Sequence, residues 1–311
     1  MRVSVVLCEH TLDRYEDLFE AARSVLSQCY ENVELVLVSD GNTAVYERFE
    51  RDFGDRNDVV MHCNDSNIGL LESRNTGAEV ATGDVVAFLD DDAIADEQWV
   101  SELVDVYREH DVPAAGGRML PKWVAGKPTF LPAEFYWLVG VTNRGFGPGG
   151  DATTAGEVRN TFGSNISFKR DVFLALGGFE SDIGGRQGDK NLQGGETELC
   201  ARLQAEYGYG VYYNPDAKVA HKVFDYRTDL EWLLDRAFWQ GYSKRGMEVL
   251  VPQSSGTESA FLKDLFTKHA VDRASGLCAS PSRGGLVQLL MLFVFTGSVG
   301  MGYLYGMYKW G

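Results

Sequence analysis

The 311-residue chain lacks a surplus of positive charge: Asp and Glu number 45 against 29 Lys and Arg, for a net charge of -16. A polyanion would be repelled, which excludes nucleic acid as a partner, and an anionic lipid surface is expected to be repelled too. Isoleucine is scarce, occurring only at Ile68, Ile94, Ile166 and Ile183, while Asp outnumbers Glu and Arg outnumbers Lys. That is the composition of a salt-adapted surface, on which no carboxylate is functional merely by being present. The five cysteines (Cys8, Cys29, Cys63, Cys200, Cys278) are odd in number, widely spaced and without a C-x-x-C pair. A disulfide frame and a zinc site are both excluded, and a reducing compartment is expected. No basic stretch leads into a signal-peptide core before Val3, so the bulk of the chain is expected in the cytoplasm. Nor does a G-x-G-x-x-G turn follow the first apolar run, or a G-x-x-x-x-G-K-[ST] loop occur anywhere. Dinucleotide oxidoreductases and P-loop NTPases are thereby disfavoured.

What is present is an alternation of apolar runs and helical periodicity. Val3 to Leu7, Val33 to Val38, Val59 to His62 and Val85 to Leu89 read as strands buried on both faces. Leu18, Ala21, Ala22, Val25 and Leu26 recur at helical spacing between the first two, as do Trp99, Val100, Leu103, Val104 and Tyr107 after the fourth. This pattern predicts an α/β fold with a doubly wound, mainly parallel sheet. From about Pro113 to Gly163 the periodicity dissolves into Gly, Pro and aromatics, and a loop or lid is expected, loosest at Gly145 to Gly150. Order returns with Asn165 to Lys169, helices at Asp171 to Leu176 and Glu198 to Tyr207, a strand at Val211 to Tyr213, and an amphipathic stretch from Leu230 to Tyr242.

From Leu286 to Tyr308 there is no charged residue, a length that suits one bilayer crossing, and Lys309 and Trp310 follow as an interfacial anchor. The competing reading is a buried core helix. Arg273 and Arg283 precede the span, which places the large domain on the cytoplasmic face of a single-pass membrane protein.

In an open parallel sheet, ligands bind beyond the carboxyl ends of the strands. Here those ends are acidic: Glu9 after the first, Asp40 after the second, and Asp90, Asp91 and Asp92 after the fourth. Gathered carboxylates repel unless a cation intervenes or one is protonated. Mn2+ or Mg2+, held by one or two carboxylates and completed by a diphosphate, is the economical explanation. Solvated acids at a helix start remain the alternative for Asp90 to Asp92, and an ordinary turn for Asp40-Gly41.

These residues resemble family-2 glycosyltransferases of the GT-A fold. The pieces are Val3 to Leu7, Ser24 to Tyr30, Val36 to Asn42, Asn67-Ile68-Gly69 with Arg74-Asn75-Thr76-Gly77, and Phe88 to Asp92, five segments in order over ninety residues. Farther on, Gly163-Ser164-Asn165, Gly177-Gly178-Phe179 and Gly195 to Arg202 look like the family's acceptor half. The resemblance implies a transferase domain over 1–225, divided into a nucleotide-binding half (1–112) and an acceptor half (113–225). An amphipathic membrane-proximal region (226–285) and a transmembrane helix (286–308) follow. It implies nucleotide-sugar binding by Glu9, Asp40, Arg74, Asp90 and Asp91, metal ligation by Asp92 and His221, and a base at Glu196 with Glu198 as second candidate. Glu196 stands where the family commonly reads Glu-Asp and this chain reads Gly195-Glu196. Gln-x-x-Arg-Trp, the mark of processive synthases, is absent, so a single sugar is expected to be added, with inversion.

Within the family the chain most resembles haloarchaeal members that transfer a hexuronic acid in dolichyl-phosphate-linked glycan assembly. That implies a UDP-sugar donor, a dolichyl-phosphate-linked acceptor, a membrane setting and, as further partners, other glycan-assembly enzymes. Arg74, Arg118 and Arg159 are open as partners for a uronate carboxylate. Two other readings stay open: a membrane-tethered nucleotide-sugar or glycan-binding scaffold without turnover, and a transferase using another donor such as UDP-glucose.

Overall fold

The computed structural model describes residues 1–183, 185–187, 190–251 and 262–311. The chain divides into two compact units that are discontinuous in sequence. One comprises Met1–Leu120, Thr154–Gly184 and Gly195–His221, the other Pro121–Thr153, Gly185–Gly194 and Lys222–Gly311. A linear division at residues 112 and 225 does not anticipate this exchange of segments.

In the first unit the apolar runs form β1 (Val3–Glu9), β2 (Val33–Ser39), β3 (Val59–Cys63) and β4 (Val85–Phe88), paired in parallel in the order β3-β2-β1-β4. Helices α1 (Tyr15–Leu26), α2 (Thr43–Phe53), α3 (Leu70–Val80) and α4 (Trp99–Glu109) make the connections. α1 buries Leu18, Ala21, Ala22 and Val25, the residues whose spacing predicts it. Beyond β4 the sheet becomes mixed, continuing through β8 (Ile166–Lys169), β6 (Ala114–Trp123), β11 (Val211–Val223) and β5 (Ala93–Ala95), with β7 (Gly156–Val158) on β11. The segment read as loop from Pro113 to Gly163 therefore contains a ten-residue strand. Its Gly116 and Gly117 are required by close approach, because a Cβ would fall 2.1 Å from Thr161 Oγ1 at the first and 1.8 Å from the Ala217 carbonyl at the second. The core beneath the functional edge is aromatic: Phe88, Phe168, Phe173 and Phe179 are buried, with ring centroids 5.2 to 6.5 Å apart.

The second unit holds the short hairpin β9 (Gly185–Gln187) and β10 (Lys190–Leu192), and helices α7 (Leu230–Leu250), α8 (Ala270–Ala279) and α9 (Arg283–Trp310). The first unit supplies the two intervening helices, α5 (Arg170–Ala175) and α6 (Gly195–Tyr207). α7 covers the expected Leu230 to Tyr242 and runs two turns farther. Among the described residues α9 is the one helix long and apolar enough to cross a membrane. Glu134, fully buried, accepts from Arg273 Nε and Nη2 at 3.0 and 2.6 Å and faces Arg144 Nη1 at 3.4 Å. Arg273 also donates to Gln288 on α9 at 2.8 Å. Glu134→Gln strips the half-buried Arg273 of its fully buried counter-charge and is expected to cost about 3 kcal/mol of stability. Urea unfolding checks this, and an unchanged midpoint would show the pair to be dispensable.

Candidate active site

Parallel register places the carboxyl ends of β1, β2 and β4 side by side, with Glu9 level with Ser39 and Val6 level with Phe88. Glu9, Asp40 and Asp90 to Asp92 therefore share one edge of the sheet. Glu9 is buried, and its Oε1 accepts the backbone N–H groups of His10 and Thr11 at 2.8 and 3.0 Å. Its Oε2 is buried with no hydrogen-bond partner. Asp40, also buried, shapes the neighbouring loop: Oδ1 accepts from Asn64 Nδ2 and the Ile68 N–H, and Oδ2 from the Gly69 N–H, at 2.8 to 3.0 Å. It thereby satisfies backbone donors that lead into α3. Gly41 follows in the left-handed region (φ 69°), where a Cβ would lie 2.2 Å from the Asn67 nitrogen. The turn at Asp40-Gly41 is thus both a turn and part of the site's frame.

Asp92 is buried and met by two groups from distant parts of the chain. His221 reaches it because β11 pairs antiparallel with β5, setting His221 opposite Ala93, and its Nε2 lies 3.2 Å from Asp92 Oδ1. Arg14, in the loop after β1, places Nη2 3.0 Å from Asp92 Oδ2 and Nε 3.0 Å from Asp91 Oδ2. Even so, negative charge is in excess. Burial, and after it the Asp92 carboxylate, push Asp91 up to about 8 against the pull of Arg14. An orphaned buried carboxylate oxygen and a raised acid are the marks of a place suited to another cation. Among the described residues no three acidic, His or Cys side chains form a ready-made cage. Residues here fit a metal that draws part of its coordination from a bound ligand.

Arg74 is the other organiser. It lies on α3, is 3% exposed as a side chain, and its guanidinium carbon stands 5.8 Å from the Phe88 ring and 5.7 Å from that of Phe179. Nη2 donates to Asp90 Oδ1 at 2.5 Å and Nη1 to Glu196 Oε1 at 3.2 Å. One rigid fork thus ties the carboxylate at the end of β4 to the first turn of α6. Burial works against the charge on Arg74, and Asp90 and Glu196 more than restore it.

Gly163-Ser164-Asn165 completes this arrangement. A Cβ at Gly163 would fall 1.9 Å from Glu196 Oε1, so glycine makes room for the carboxylate. Ser164 Oγ accepts the Asp90 N–H at 2.9 Å. Asn165 accepts from Trp99 Nε1 at 2.8 Å and donates to the Ala217 carbonyl at 2.9 Å, fixing the turn to α4 and β11.

The two acidic candidates on α6 part company. Glu196 is partly exposed beside Arg74, whereas Glu198 is buried in a two-pronged pair with Arg202, each contact 2.6 Å. Arg202 in turn donates to the carbonyls of Leu176 and Gly178. Glu198 therefore braces the turn around Gly177-Gly178 rather than facing Asp90. The sequence pattern gives no role to Arg14, and it marks Ser164 only as part of the Gly163-Ser164-Asn165 segment, without its bond to the Asp90 N–H. A basic residue five positions beyond Glu9, in the loop at the carboxyl edge, is the available signal for the first.

Comparisons with known proteins bear on the family and the fold. The family model described as glycosyl transferase family 2 matches residues 7–177. The chain is 52% identical over 308 residues, 99% of its length and 96% of the relative's, to a glucosyl-dolichyl phosphate glucuronosyltransferase of Haloferax volcanii. It is 26% identical to the succinoglycan biosynthesis protein ExoM of Rhizobium meliloti, over 71% of this chain and 64% of that one. Among solved structures it resembles a mannosyltransferase from Pyrobaculum calidifontis in complex with GDP-Man and Mn2+. The TM-score is 0.59 at 17% identity, covering 98% of this chain and 87% of that one. It also resembles S. aureus TarS 1–349 in complex with UDP-GlcNAc, with a TM-score of 0.54 at 14% identity, covering 96% and 82%. Both likenesses are of fold, the GT-A fold.

Proposed function

The chain belongs to glycosyl transferase family 2, and from that premise we propose that it transfers one glucuronic acid from a UDP-sugar to glucosyl-dolichyl phosphate, with inversion, in assembly of a lipid-linked glycan. The observation that carries the reading is the 52% identity, over nearly the whole of both chains, to an enzyme named for that transfer. It acts at the membrane, attached through the apolar α9, with the catalytic unit on the cytoplasmic face.

The chemistry requires a held nucleoside diphosphate, charge compensation as it leaves, and a base for the acceptor hydroxyl. Asp40, Asp90 and the loop from Asn64 to Gly69 form the rim for the nucleotide, with Arg74 fixing Asp90. Asp92 and His221 would hold Mn2+ or Mg2+, with the neighbouring Glu9 and Asp91 carboxylates adding to the attraction. Such a cation supplies Lewis-acid stabilisation of the departing phosphate. Glu196 takes the proton from the acceptor hydroxyl, its carboxylate aimed by Arg74 and by the space that Gly163 leaves.

The test is transfer by the full chain in high salt, with UDP-glucuronic acid, UDP-glucose and GDP-mannose offered to glucosyl-dolichyl phosphate and to bare dolichyl phosphate, each with Mn2+, Mg2+ or EDTA. UDP-glucuronic acid is expected to lead by at least about tenfold, with the glucosylated acceptor required. Transfer is expected to stop in EDTA. Equal use of UDP-glucose would overturn the donor assignment, and transfer to bare lipid phosphate the acceptor.

A further inference from the structure

By length and composition α9 could cross a bilayer, yet what it packs against argues for another arrangement. Its buried residues are Met291, Leu292, Phe295, Ser298, Gly302 and Gly306, one side of the helix. That side is fastened to the second unit nearly from end to end. Gln288 donates to the Thr129 carbonyl at 2.8 Å, the Phe295 ring lies 5.3 Å from Phe135, and Ser298 donates to the Leu234 carbonyl at 2.8 Å. Farther along, backbones touch. A Cβ on Gly302 would fall 1.8 Å from the Phe238 carbonyl, and one on Gly241 1.9 Å from that of Val299. Arg245 finally reaches the Gly311 carbonyl at 3.2 Å. The contacts rise in parallel along α7 and α9, so these two helices run side by side in the same direction.

α7 is not a helix for hydrocarbon. It carries Glu231, Asp235, Arg236, Lys244, Arg245 and Glu248, several of them level with the last four turns of α9. If α9 crossed, these charges and the loop at Thr129 would be drawn into the bilayer core with it, at a cost paid for each ionised group. The opposite side of α9 has the reverse character. Leu286, Leu290, Phe293, Met301, Leu304 and Tyr308, 48% to 82% exposed, recur every three or four residues with the exposed Gly297 among them, as one uncharged stripe. Over 23 residues it is about 33 Å long.

We propose that α9 lies in the plane of the membrane surface, its outer stripe sunk into one leaflet of anionic lipid, and that both ends of the chain stay on the same side. The charge distribution favours anionic headgroups. Although the net charge of -16 repels an anionic surface as a whole, the residues after 261, apart from Arg273, which is taken up by Glu134, hold four Lys or Arg against two Asp or Glu, and Arg283 is exposed at the start of the stripe. This deepens the proposed reading by giving the enzyme a monotopic seat beside a lipid acceptor.

The experiment uses the full chain with one epitope before Met1 and another after Gly311, digested by protease from each side of sealed membrane vesicles of expressing cells. Loss of both epitopes from one side is expected; loss from opposite sides would show a crossing helix and overturn the proposal. A second arm follows flotation with vesicles of anionic lipid. Leu290→Glu combined with Leu304→Glu, both at exposed positions, is expected to lower vesicle binding by at least about tenfold with an unchanged thermal transition. Undiminished binding by that variant would overturn the proposal, as would a wild type that remains in solution as a dimer through this stripe. No arm reads sugar transfer, so failure here leaves the transferase reading intact, and failure of the donor assay leaves this one intact.

Discussion

Glu196→Gln is expected to lower kcat by about 100- to 10,000-fold while leaving donor affinity within about threefold. Glutamine keeps the shape of the side chain and can still face Arg74, but it has no lone pair basic enough to take a proton from a sugar hydroxyl. The loss should therefore fall on the chemical step. Steady-state transfer and calorimetric titration of the nucleotide separate the two quantities. Glu198→Gln provides the comparison: with Glu198 buried against Arg202, its loss should lower stability around Gly177-Gly178 more than it lowers turnover. A larger fall in kcat for Glu198→Gln, at unchanged stability, would move the base to that residue.

Arg74→Met is expected to weaken the protein twice over. The guanidinium is buried against two aromatic rings and shared by two carboxylates, so methionine removes the one counter-charge that pairs directly with Asp90 and Glu196 among the described residues. Breaking such a pair costs about 3 kcal/mol, at the low end of the range because Asp90 and Glu196 remain 29% and 27% exposed and water offsets part of the loss. Turnover should fall as well, since the same fork holds the nucleotide rim and the base in register. Arg74→Lys distinguishes charge from geometry. A single ammonium restores part of the stability but cannot bridge both acids, and kcat should stay low. Urea midpoints and kinetics of the two variants test this, and full recovery of kcat in the lysine variant would reduce Arg74 to a counter-charge.

Much of this was legible in the chain. β1 to β4 announce themselves because strands covered on both faces must be apolar along their whole length, and strand ends then locate Glu9, Asp40 and Asp90 to Asp92 without any structure. Glu196 was also within reach, though not its separation from Glu198: both open the same helix, and only Arg202, four residues on, withdraws one of them. β6 was illegible for a local reason. Ala-Ala-Gly-Gly-Arg-Met-Leu-Pro has the composition of a loop, and it becomes a strand because Thr161 and Ala217 need the space that the two glycines leave.

The sequence by itself thus determined the α/β class, the acidic edge and the presence of a long apolar helix, since each depends on residues near one another in the chain. Tertiary structure alone decided that Arg14 meets Asp91 and Asp92, that Arg74, while holding Asp90, reaches Glu196 across 122 positions, and that α9 is fastened to a charged helix along one side. Such pairings are set by strand register and by the close approach of backbones, which hydrophobic periodicity does not encode.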